Sequence, residues 1–437
     1  MTNGKLKPIF SFLIITVSLT IGAILGFWQI QPPSVDRSSP NYPVFQRMMG
    51  NIERWTQTPR PIGSKELESV RTEIVAEIEN MGFSPIIHNV ESINIQMNNT
   101  DIDVKNILVK FEHPDAARGV LFMAHYDSVG NSAGAGDNMV SVAALLEGLR
   151  SLEQVSDLKN NIYILFTDSE EFGLIGSRGF VNEHPELLEK IDMIVNIDGT
   201  SSGGVILFER TPLSYSLVRF YKNASVRPIG FSLASFIYDM MPMASDLMPF
   251  ERAGLNGFSI SAMEGMNTWH TPMDSFENLN EATAWHYLLN TLALVDYVAN
   301  NSLDVLDATP KEAVFFPFFP SVMILMTAFV SAIFGIAACV LAVVALVYKL
   351  KQKSFKISFS NVCLLLFLIL TIASMIFLAT GSYLFYIPLF LTATCILVKK
   401  WSAGSITYVA IRGLSYIIVM MLWFPVIYLL VRILFGI

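Results

Sequence analysis

Cysteine is scarce in this chain of 437 residues, which contains only three, all of them in its apolar C-terminal third. Residues 32–313 contain no cysteine. This region therefore cannot be held together by a disulfide bond, and it offers neither a thiolate ligand for zinc nor a cysteine nucleophile. Its chemistry must rely on other side chains.

Acidic residues are absent from both ends of the chain. Residues 1–31 and 314–437 contain no Asp or Glu, so all 37 acidic residues lie in residues 32–313. This middle region holds 19 of the 29 basic residues, which gives it a net charge of −18. Such a charge argues against nucleic acid as a partner, because the domain would repel phosphates. The apolar ends also contain no His, and the absence of Asp, Glu and His argues against a proton relay or ion pathway there.

Long hydrophobic runs fill these two ends, and the mean hydropathy of +0.49 is too high for a single soluble domain. Residues 9–30 are uncharged, and they are long enough to cross a hydrocarbon core of about 30 Å. The run is longer than that of a cleaved secretion signal, so residues 1–31 are expected to be an uncleaved signal anchor. Four further transmembrane helices are predicted within residues 314–437, at about 321–348, 359–380, 383–398 and 408–431.

Basic residues between the predicted spans indicate how the chain crosses the membrane. Lysines and arginines cluster in residues 349–356 and 399–412, and loops of this kind stay in the cytoplasm. We therefore expect residues 32–313 and the C-terminus on the non-cytoplasmic side, in a bacterial cytoplasmic membrane or a eukaryotic endomembrane. Arg432, beside the outer end of the last predicted span, is the one charge that opposes this orientation. The lipid bilayer is thus an expected partner, and the C-terminal helices are expected to act as an anchor.

The middle region has the pattern of an α/β domain. Residues 64–82 combine a capping serine, a repeating apolar face and a final glycine, which is typical of an amphipathic helix. Continuous apolar runs of about four to six residues predict buried strands, and helical patterns separate these runs. The pattern predicts a mainly parallel sheet covered by helices on both faces. The predicted strands lie at 106–111, 120–124, 161–166, 193–197 and 258–262.

Polar side chains follow four of these strands where each strand ends. Ligands bind beyond the carboxyl ends of parallel strands, so we expect these side chains to meet at one edge of the sheet. Imidazole and carboxylate groups without thiolate suit zinc or a related divalent ion. The set is too large for one tetrahedral site with an open position, and it fits two ions bridged by a carboxylate. Its candidate members are His125, Asp127, Asp137, Asp168, Glu170, Glu171, Asp198, His270 and Asp274.

Four segments around these residues resemble the signature blocks of a known family. They read MAHYDSVGNSAGAGDNMVSVAALLE, LFTDSEEFGLIGSRGFV, VNIDGT and NTWHTPMDSFENLN, and they occur in the family's order. The family is that of the co-catalytic di-zinc exopeptidases, which includes bacterial leucyl aminopeptidase and glutamate carboxypeptidase. The resemblance covers roughly residues 40–300. It implies a zinc exopeptidase fold that binds two zinc ions and a peptide substrate.

The resemblance also implies which residues bind the two ions. His125 and Asp198 would hold one zinc ion, and Glu171 and His270 would hold the other. Asp137 would bridge the pair. The small residues between His125 and Asp137 would let the loop turn tightly enough to bring this carboxylate back to the ions.

Two further residues have implied roles in catalysis. Glu170 would act as the general base, while Asp127 would hydrogen-bond the imidazole of His125 and set its tautomer. Asp274 is expected to cap the helix or turn after His270 rather than to bind metal. One segment departs from the family's pattern, because Leu247 stands where many relatives have a histidine. That change removes no implied metal ligand, but it lies in a segment expected to contact substrate.

These observations favour a membrane-anchored zinc exopeptidase, with an aminopeptidase as the preferred hypothesis. A glutaminyl cyclase-like acyl-transfer enzyme with one zinc ion is an alternative, because it shares the HYDS segment and the paired glutamates. A non-catalytic receptor or scaffold on the same fold is a second alternative, although every ligand position is filled here. The number of bound ions and the products formed would separate the three.

Overall fold

The computed structural model divides the chain into two compact units. The polar unit contains Gln31–Gly230, Ile237–Pro310 and Val431–Ile437, and the apolar unit contains Met1–Ile30, Phe231–Phe236 and Lys311–Leu430. The structure describes residues 3–97, 100–116, 118–155, 157–238, 241, 243–351, 359–376, 383–402 and 406–435.

A mixed sheet forms the centre of the polar unit. The strands described in this unit are β1 (Ile86–Asn89), β2 (Ile95–Met97), β3 (Thr100–Ile102), β4 (Lys105–Phe111), β5 (Gly119–His125), β6 (Asn161–Thr167), β7 (Met193–Ile197), β8 (Val205–Arg210) and β9 (Gly257–Ala262). Seven of them form one sheet in the order β1-β4-β6-β5-β7-β9-β8, and β2 pairs with β3. The central strands β6, β5, β7 and β9 are parallel, whereas β1, β4 and β8 pair antiparallel with their neighbours. The predicted α/β fold with a mainly parallel sheet is confirmed.

Fourteen α-helices lie in the part of the chain that the structure describes. They are α1 (Asn3–Ile30), α2 (Tyr42–Trp55), α3 (Lys65–Asn80), α4 (Val140–Ser151), α5 (Ile175–Glu183), α6 (Pro185–Leu188), α7 (Tyr215–Ala224), α8 (Ser232–Tyr238), α9 (Leu247–Arg252), α10 (Glu281–Asn300), α11 (Ala328–Lys351), α12 (Phe359–Ile376), α13 (Tyr383–Ser402) and α14 (Ile406–Phe435). The helix predicted at 64–82 is confirmed as α3. Its capping residue, Ser64, accepts a hydrogen bond of 3.1 Å from the backbone N–H of Leu67.

Helices cover both faces of the sheet. All seven residues of β5 are buried, which explains why this strand reads as a continuous apolar run rather than an alternating one. Leu121 and Met123 pack in one core cluster with Phe180 of α5 and Phe250 of α9. Because successive side chains of a strand point to opposite faces, Phe122 faces the other side. Helices α4 and α10 pack against each other and against β6.

The apolar unit contains helices that could cross a membrane. In the described residues, three are long and apolar enough by length and composition, over Phe12–Ile30, Ala328–Lys351 and Val409–Arg432. Two shorter apolar stretches lie at Val362–Ala373 and Tyr383–Leu397. The N-terminal helix and four C-terminal apolar helices that we predicted are thus present, although the end of the span predicted at 359–380 lies outside the described residues. Together they indicate an integral membrane protein.

The first C-terminal membrane helix begins later than predicted. We expected it at about 321–348, but α11 begins at Ala328 and a β-hairpin precedes it. The strands of this hairpin are β10 (Ala313–Phe319) and β11 (Val322–Thr327). The expected start was wrong because hydropathy does not distinguish an apolar strand from the first turns of an apolar helix.

A short segment of the middle region also belongs to the apolar unit. Residues Phe231–Phe236 group with the hairpin and not with the sheet that precedes them in sequence. The hydroxyl of Ser232 makes two hydrogen bonds with the backbone of Phe315. It accepts one from the N–H group at 3.4 Å and donates one to the carbonyl oxygen at 3.3 Å. The contact joins residues 83 positions apart, so no local sequence pattern predicts it.

Candidate active site

The carboxyl ends of the parallel strands lie side by side at one edge of the sheet. The register pairs His125 with Thr167 across β5 and β6, and Met123 with Asn196 across β5 and β7. The segments that follow these strands therefore begin close together, where ligands of α/β sheets bind. The structure brings five of the nine candidate side chains into two groups at this edge: His125, Asp137 and Asp198 in one, and Asp137, Glu171 and His270 in the other.

Asp137 belongs to both groups. Nε2 of His125 lies 3.2 Å from Oδ1 of Asp137 and 3.6 Å from Oδ1 of Asp198. Nε2 of His270 lies 3.2 Å from Oδ2 of Asp137 and 2.9 Å from Oε2 of Glu171. Within each group the donor atoms lie within 4.8 Å of one another. The two oxygens of one carboxylate thus face two different histidines, as is needed if two ions share that carboxylate.

The carboxylates that crowd this cluster favour positive charge within it. Burial lowers the pKa of His270, but hydrogen bonds with Asp137 and Glu171 outweigh burial and raise this pKa to about 10. Burial, followed by the charge of Asp137, raises the pKa of Glu171 to about 8. Oε1 of Glu171 is buried and has no hydrogen-bond partner among the described residues. A divalent ion fits these donors, because it can replace the protons that the crowded carboxylates otherwise attract.

Comparison with known proteins identifies the domain that carries this cluster. Residues 106–295 match the sequence profile described as Peptidase family M28. This part of the chain is therefore a domain of the M28 type. The matched residues are called the M28 domain below.

Curated relatives of the chain carry the name vacuolar membrane protease. The relative from Saccharomyces cerevisiae is 27% identical over 331 residues, which cover 71% of this chain and 33% of that protein. The relative from Clavispora lusitaniae is 33% identical over 213 residues, which cover 48% of this chain and 20% of that protein. The chain thus spans a third or less of the length of these relatives. Among solved structures, an aminopeptidase from Aneurinibacillus sp. strain AM-1 aligns with a TM-score of 0.48 and 11% identity, covering 59% of this chain and 94% of that one.

Asp127 holds the turn that follows β6 in the M28 domain. Its carboxylate accepts hydrogen bonds from the backbone N–H groups of Glu170 at 3.0 Å and Glu171 at 3.2 Å. The same carboxylate lies 3.4 Å from Nδ1 of His125, which is long for a hydrogen bond. Ser169, at the start of the turn, has a φ of 59°, a strained conformation that the surrounding contacts must maintain. One buried carboxylate therefore holds the turn that carries Glu171 and also lies beside the imidazole of His125.

Glu170 lies on the wall of the cavity that contains both groups. Burial raises the pKa of Glu170 well above its usual range; the charge of His125 opposes this shift, and the carboxylates of Asp246 and Asp198 add to it. A carboxylate whose pKa is raised accepts a proton more readily at neutral pH. Glu170 can thus accept a proton in the cavity, whereas its neighbour Glu171 contacts His270.

The cavity in the M28 domain has a volume of about 300 Å³. Among its lining residues the titratable groups are carboxylates, the two histidines and a tyrosine, and none is Lys or Arg. The ring of Trp269 stacks on that of His270, with centroids 3.7 Å apart. An apolar wall beside a few polar groups is the usual form of a small-molecule or side-chain pocket. The apolar wall includes Phe208, Tyr238, Met243, Met263, Met266 and Trp269.

The segment that departs from the family's pattern lies partly behind the cavity. Leu247 is fully buried and belongs to the core cluster of Leu121 and Phe250. Asp246 is also buried and accepts a hydrogen bond from the hydroxyl of Thr167 at 2.5 Å. The leucine is absent from the cavity lining. The change from histidine to leucine therefore places an apolar side chain in the core, where it is favourable.

Sequence reasoning missed one residue of this region and misassigned another. Arg60 is fully buried, and its guanidinium donates to backbone carbonyl groups next to the site. We expected Asp274 to cap the helix or turn after His270, but its carboxylate accepts hydrogen bonds from the backbone N–H groups of Gly136 and Asp137. The cap of the next helix, α10, is Asn280. The residues next to Arg60 and Asp274 in sequence give no signal of backbone partners that are so far away along the chain.

Proposed function

We propose that the chain is a membrane-anchored, zinc-dependent aminopeptidase that hydrolyses N-terminal residues from peptides. The observation that carries this proposal is the pair of histidine–carboxylate groups that share Asp137 within one cavity. The match of residues 106–295 to Peptidase family M28 supports a hydrolase that acts on peptide bonds. The name of its relatives, vacuolar membrane protease, supports the combination of a protease and a membrane anchor.

Two zinc ions fit the donors present. His125 and Asp198 would hold one ion, Glu171 and His270 would hold the other, and Asp137 would bridge them. When bound, the ions would polarise a water molecule and the scissile carbonyl and would offset the negative charge that develops on the carbonyl oxygen. The protein supplies the rest of the chemistry through its own side chains.

Glu170 would be the general base. Its carboxylate would take a proton from the attacking water as the water oxygen bonds to the carbonyl carbon. The same side chain would then give this proton to the nitrogen of the leaving amine as the C–N bond breaks. Asp127 would keep Glu170 in place through the hydrogen bond to its backbone N–H. The net reaction adds one water molecule across the peptide bond.

The charge of the cavity favours a substrate with a free amino group. The carboxylates of Glu170, Glu171 and Asp198 line the cavity, and they would attract the ammonium group at a peptide's N-terminus. A C-terminal carboxylate would meet no Lys or Arg among the lining residues. The apolar wall would receive the side chain of the substrate residue, so we expect apolar first residues to be preferred.

The polar unit is proposed to lie on the non-cytoplasmic side of the membrane. Lys349 and Lys351 at the end of α11 support this orientation, because basic residues at span ends mark the cytoplasmic side. Residues 352–358 and 403–405 of the two predicted cytoplasmic loops lie outside the described residues. Arg432, the opposing charge, donates from Nη2 to the carbonyl oxygen of Glu264 at 2.8 Å within the polar unit. This hydrogen bond accounts for the arginine at this position, so Arg432 does not argue against the proposed orientation.

Peptide hydrolysis by the full-length protein in detergent tests this function. We expect cleavage of a peptide with a free N-terminus and an apolar first residue, no cleavage of the N-acetylated peptide, two zinc ions per chain, and loss of activity with a chelator. Glu170→Gln should lower kcat by about 10²–10⁴ while retaining both ions. Glu189→Gln, at an exposed position of the same domain, is the matched control and should leave kcat unchanged.

Other outcomes of the same experiment would point to other functions. One zinc ion per chain, with pyroglutamate formed from a peptide that begins with Gln, would replace the proposal with an acyl-transfer enzyme. Failure to hydrolyse a broad panel of peptides with both ions bound would favour a receptor or scaffold. Full activity in Glu170→Gln at unchanged zinc content would refute the role of Glu170.

A further inference from the structure

We propose that Arg60 and Asp274 are positioning residues that hold Asp137 in place between the two zinc sites. This inference rests on the proposed function, because it concerns the carboxylate proposed to bridge the two ions. The bridging loop is defined here as residues 133–137, which end at that carboxylate. Its backbone is held on one side by a buried cation and on the other by a buried anion.

Arg60 binds the carbonyl groups of the bridging loop. Its guanidinium donates to the carbonyl oxygens of Ala133 at 2.5 Å and Gly134 at 3.4 Å. It also donates from Nε to the carbonyl oxygen of Tyr126 at 3.1 Å. Tyr126 directly follows His125, so one side chain joins the end of β5 to the loop that carries Asp137. A guanidinium suits this task because it presents five N–H donors in one rigid plane.

Asp274 binds the amide groups of the same loop. Its Oδ1 accepts a hydrogen bond from the N–H of Gly136 at 2.7 Å, and its Oδ2 accepts one from the N–H of Asp137 at 3.0 Å. Asp274 is buried and follows His270 by four residues. The segment that carries a candidate ligand of the second ion therefore also positions the backbone of the shared ligand.

The bridging loop needs such support because its backbone is irregular. Gly134 has a φ of 62°, in the left-handed region that glycine tolerates best. A Cβ atom at Gly136 would lie 2.4 Å from the backbone nitrogen of Ser201, so glycine is required there by close approach. Asp137 itself has non-helical angles, with φ −117° and ψ 86°. Repeating hydrogen bonds of a helix or strand therefore do not set its position.

The charges of the two positioning residues match the groups that they bind. The cation of Arg60 faces carbonyl oxygens and the anion of Asp274 faces N–H groups, and charge-assisted hydrogen bonds of this kind are stronger than neutral ones. Outer partners that orient metal ligands typically change metal affinity by about 10- to 100-fold when they are replaced. We expect effects of that size at this site.

Zinc affinity of the full-length protein tests the inference without substrate. In Asp274→Asn, one oxygen becomes an NH₂ group that faces a backbone N–H, so one of the two hydrogen bonds is lost. We expect a zinc dissociation constant raised by about 10- to 100-fold in competition with a chromophoric chelator. We also expect an altered visible spectrum of the Co²⁺-loaded protein. Arg60→Lys, which keeps the charge but not the planar set of donors, should change both readouts in the same direction.

The matched control is Asp192→Asn. The carboxylate of Asp192 accepts a hydrogen bond from the backbone N–H of Gly119 at 2.9 Å, at the opposite end of β5 from His125. The variant therefore removes a carboxylate–backbone contact from β5, the strand that ends at His125, but at a distance from the site. Its zinc affinity and Co²⁺ spectrum should equal those of the wild type.

The outcomes separate this inference from the proposed function. Wild-type zinc affinity and an unchanged Co²⁺ spectrum in Asp274→Asn would overturn the positioning role, even if the variant is less stable to heat. A wild-type protein that binds two zinc ions but hydrolyses no peptide would overturn the aminopeptidase, while a weakened Asp274→Asn would still support the positioning role. Absence of zinc binding in the wild type would overturn both. If Arg60→Lys does not fold, the comparison of Asp274→Asn with its control decides.

Discussion

The two candidate metal-binding groups have similar ligands but very different supports. His125 ends β5, which is paired with β6 and β7 on either side, and its side chain is 3% exposed. His270 lies between β9 and α10 in a segment of turns and short 3₁₀ helices, has a φ of 56°, and is 33% exposed. A ligand on a central strand is held by a hydrogen-bonded ladder, whereas a ligand on a loop depends on a few side-chain contacts. The first group should therefore be the more rigid.

The partners of the two histidines show the same contrast. Asp198 follows the central strand β7, while Glu171 lies in the turn of Ser169, which also has a positive φ. Only Asp137 is common to both groups. We therefore expect one tightly held ion and one that exchanges more readily, with Asp137 as the residue on which both depend.

Replacement of Asp137 should have the largest effect, because it removes a ligand from both groups at once. In Asp137→Ala we expect a loss of zinc affinity well beyond the roughly 100-fold that outer partners cause, together with loss of peptide hydrolysis. Zinc content after dialysis, measured by elemental analysis, checks this expectation, and circular dichroism checks the fold. Retention of one ion with wild-type affinity would show that the carboxylate serves only one group.

Separate replacement of the two histidines should distinguish the groups. His270→Ala should lose the loosely held ion and keep about one zinc ion per chain, because the group on the strands remains. His125→Ala should lose the tightly held ion, and we expect it to bind the remaining ion with much lower affinity. Metal stoichiometry of the two variants, measured side by side, is the check.

Chelator titration of the wild type provides the control for this pair. We expect release in two steps, and the first step should be missing in His270→Ala. Release of both ions in one step, or equal stoichiometry in the two variants, would contradict the proposed difference between the groups.

Replacement of Asp127 should have a smaller effect that reaches both groups. Asp127→Asn keeps the shape of the side chain but cannot accept both backbone N–H groups of Glu170 and Glu171. We expect zinc affinity to fall by about 10- to 100-fold, with losses for both ions. Chelator competition measures it. If only the ion held by His125 is bound more weakly, the turn after β6 does not depend on the carboxylate of Asp127 for its position.

Replacement of the apolar wall should have the smallest effect and should spare the metal. Met263→Ala would remove apolar contact from the cavity, and we expect kcat/KM for a peptide with a leading Leu to fall roughly tenfold. A peptide with a leading Ala should be affected less, since it reaches less far into the cavity. Steady-state kinetics with both peptides is the measurement. Val226→Ala, at a position that is 50% exposed, is the control; equal losses for the two peptides would argue against a side-chain pocket at Met263.

The sequence predicted those features that depend on short stretches of chain. The helix at 64–82 could be predicted because its cap and its apolar face are local. The central strands could be predicted because a strand buried on both faces is continuously apolar. By contrast, β8 and the hairpin before α11 went unrecognised. A short apolar run has the same sequence pattern whether it forms an edge strand, one strand of a hairpin or the start of a helix. Which of these it forms depends on the elements that pack against it.

The candidate site divides in the same way between sequence and tertiary structure. By itself the sequence determined the kinds of donor, and it placed His125 and Asp198 at strand ends because each of these two directly follows a continuous apolar run. Only the tertiary structure decided that the two oxygens of Asp137 face different histidines and that Arg60 and Asp274 hold its loop. Asp274 meets Gly136 across 138 positions of the chain. Contacts over such separations arise from packing of the whole domain, and neither spacing nor composition encodes them locally.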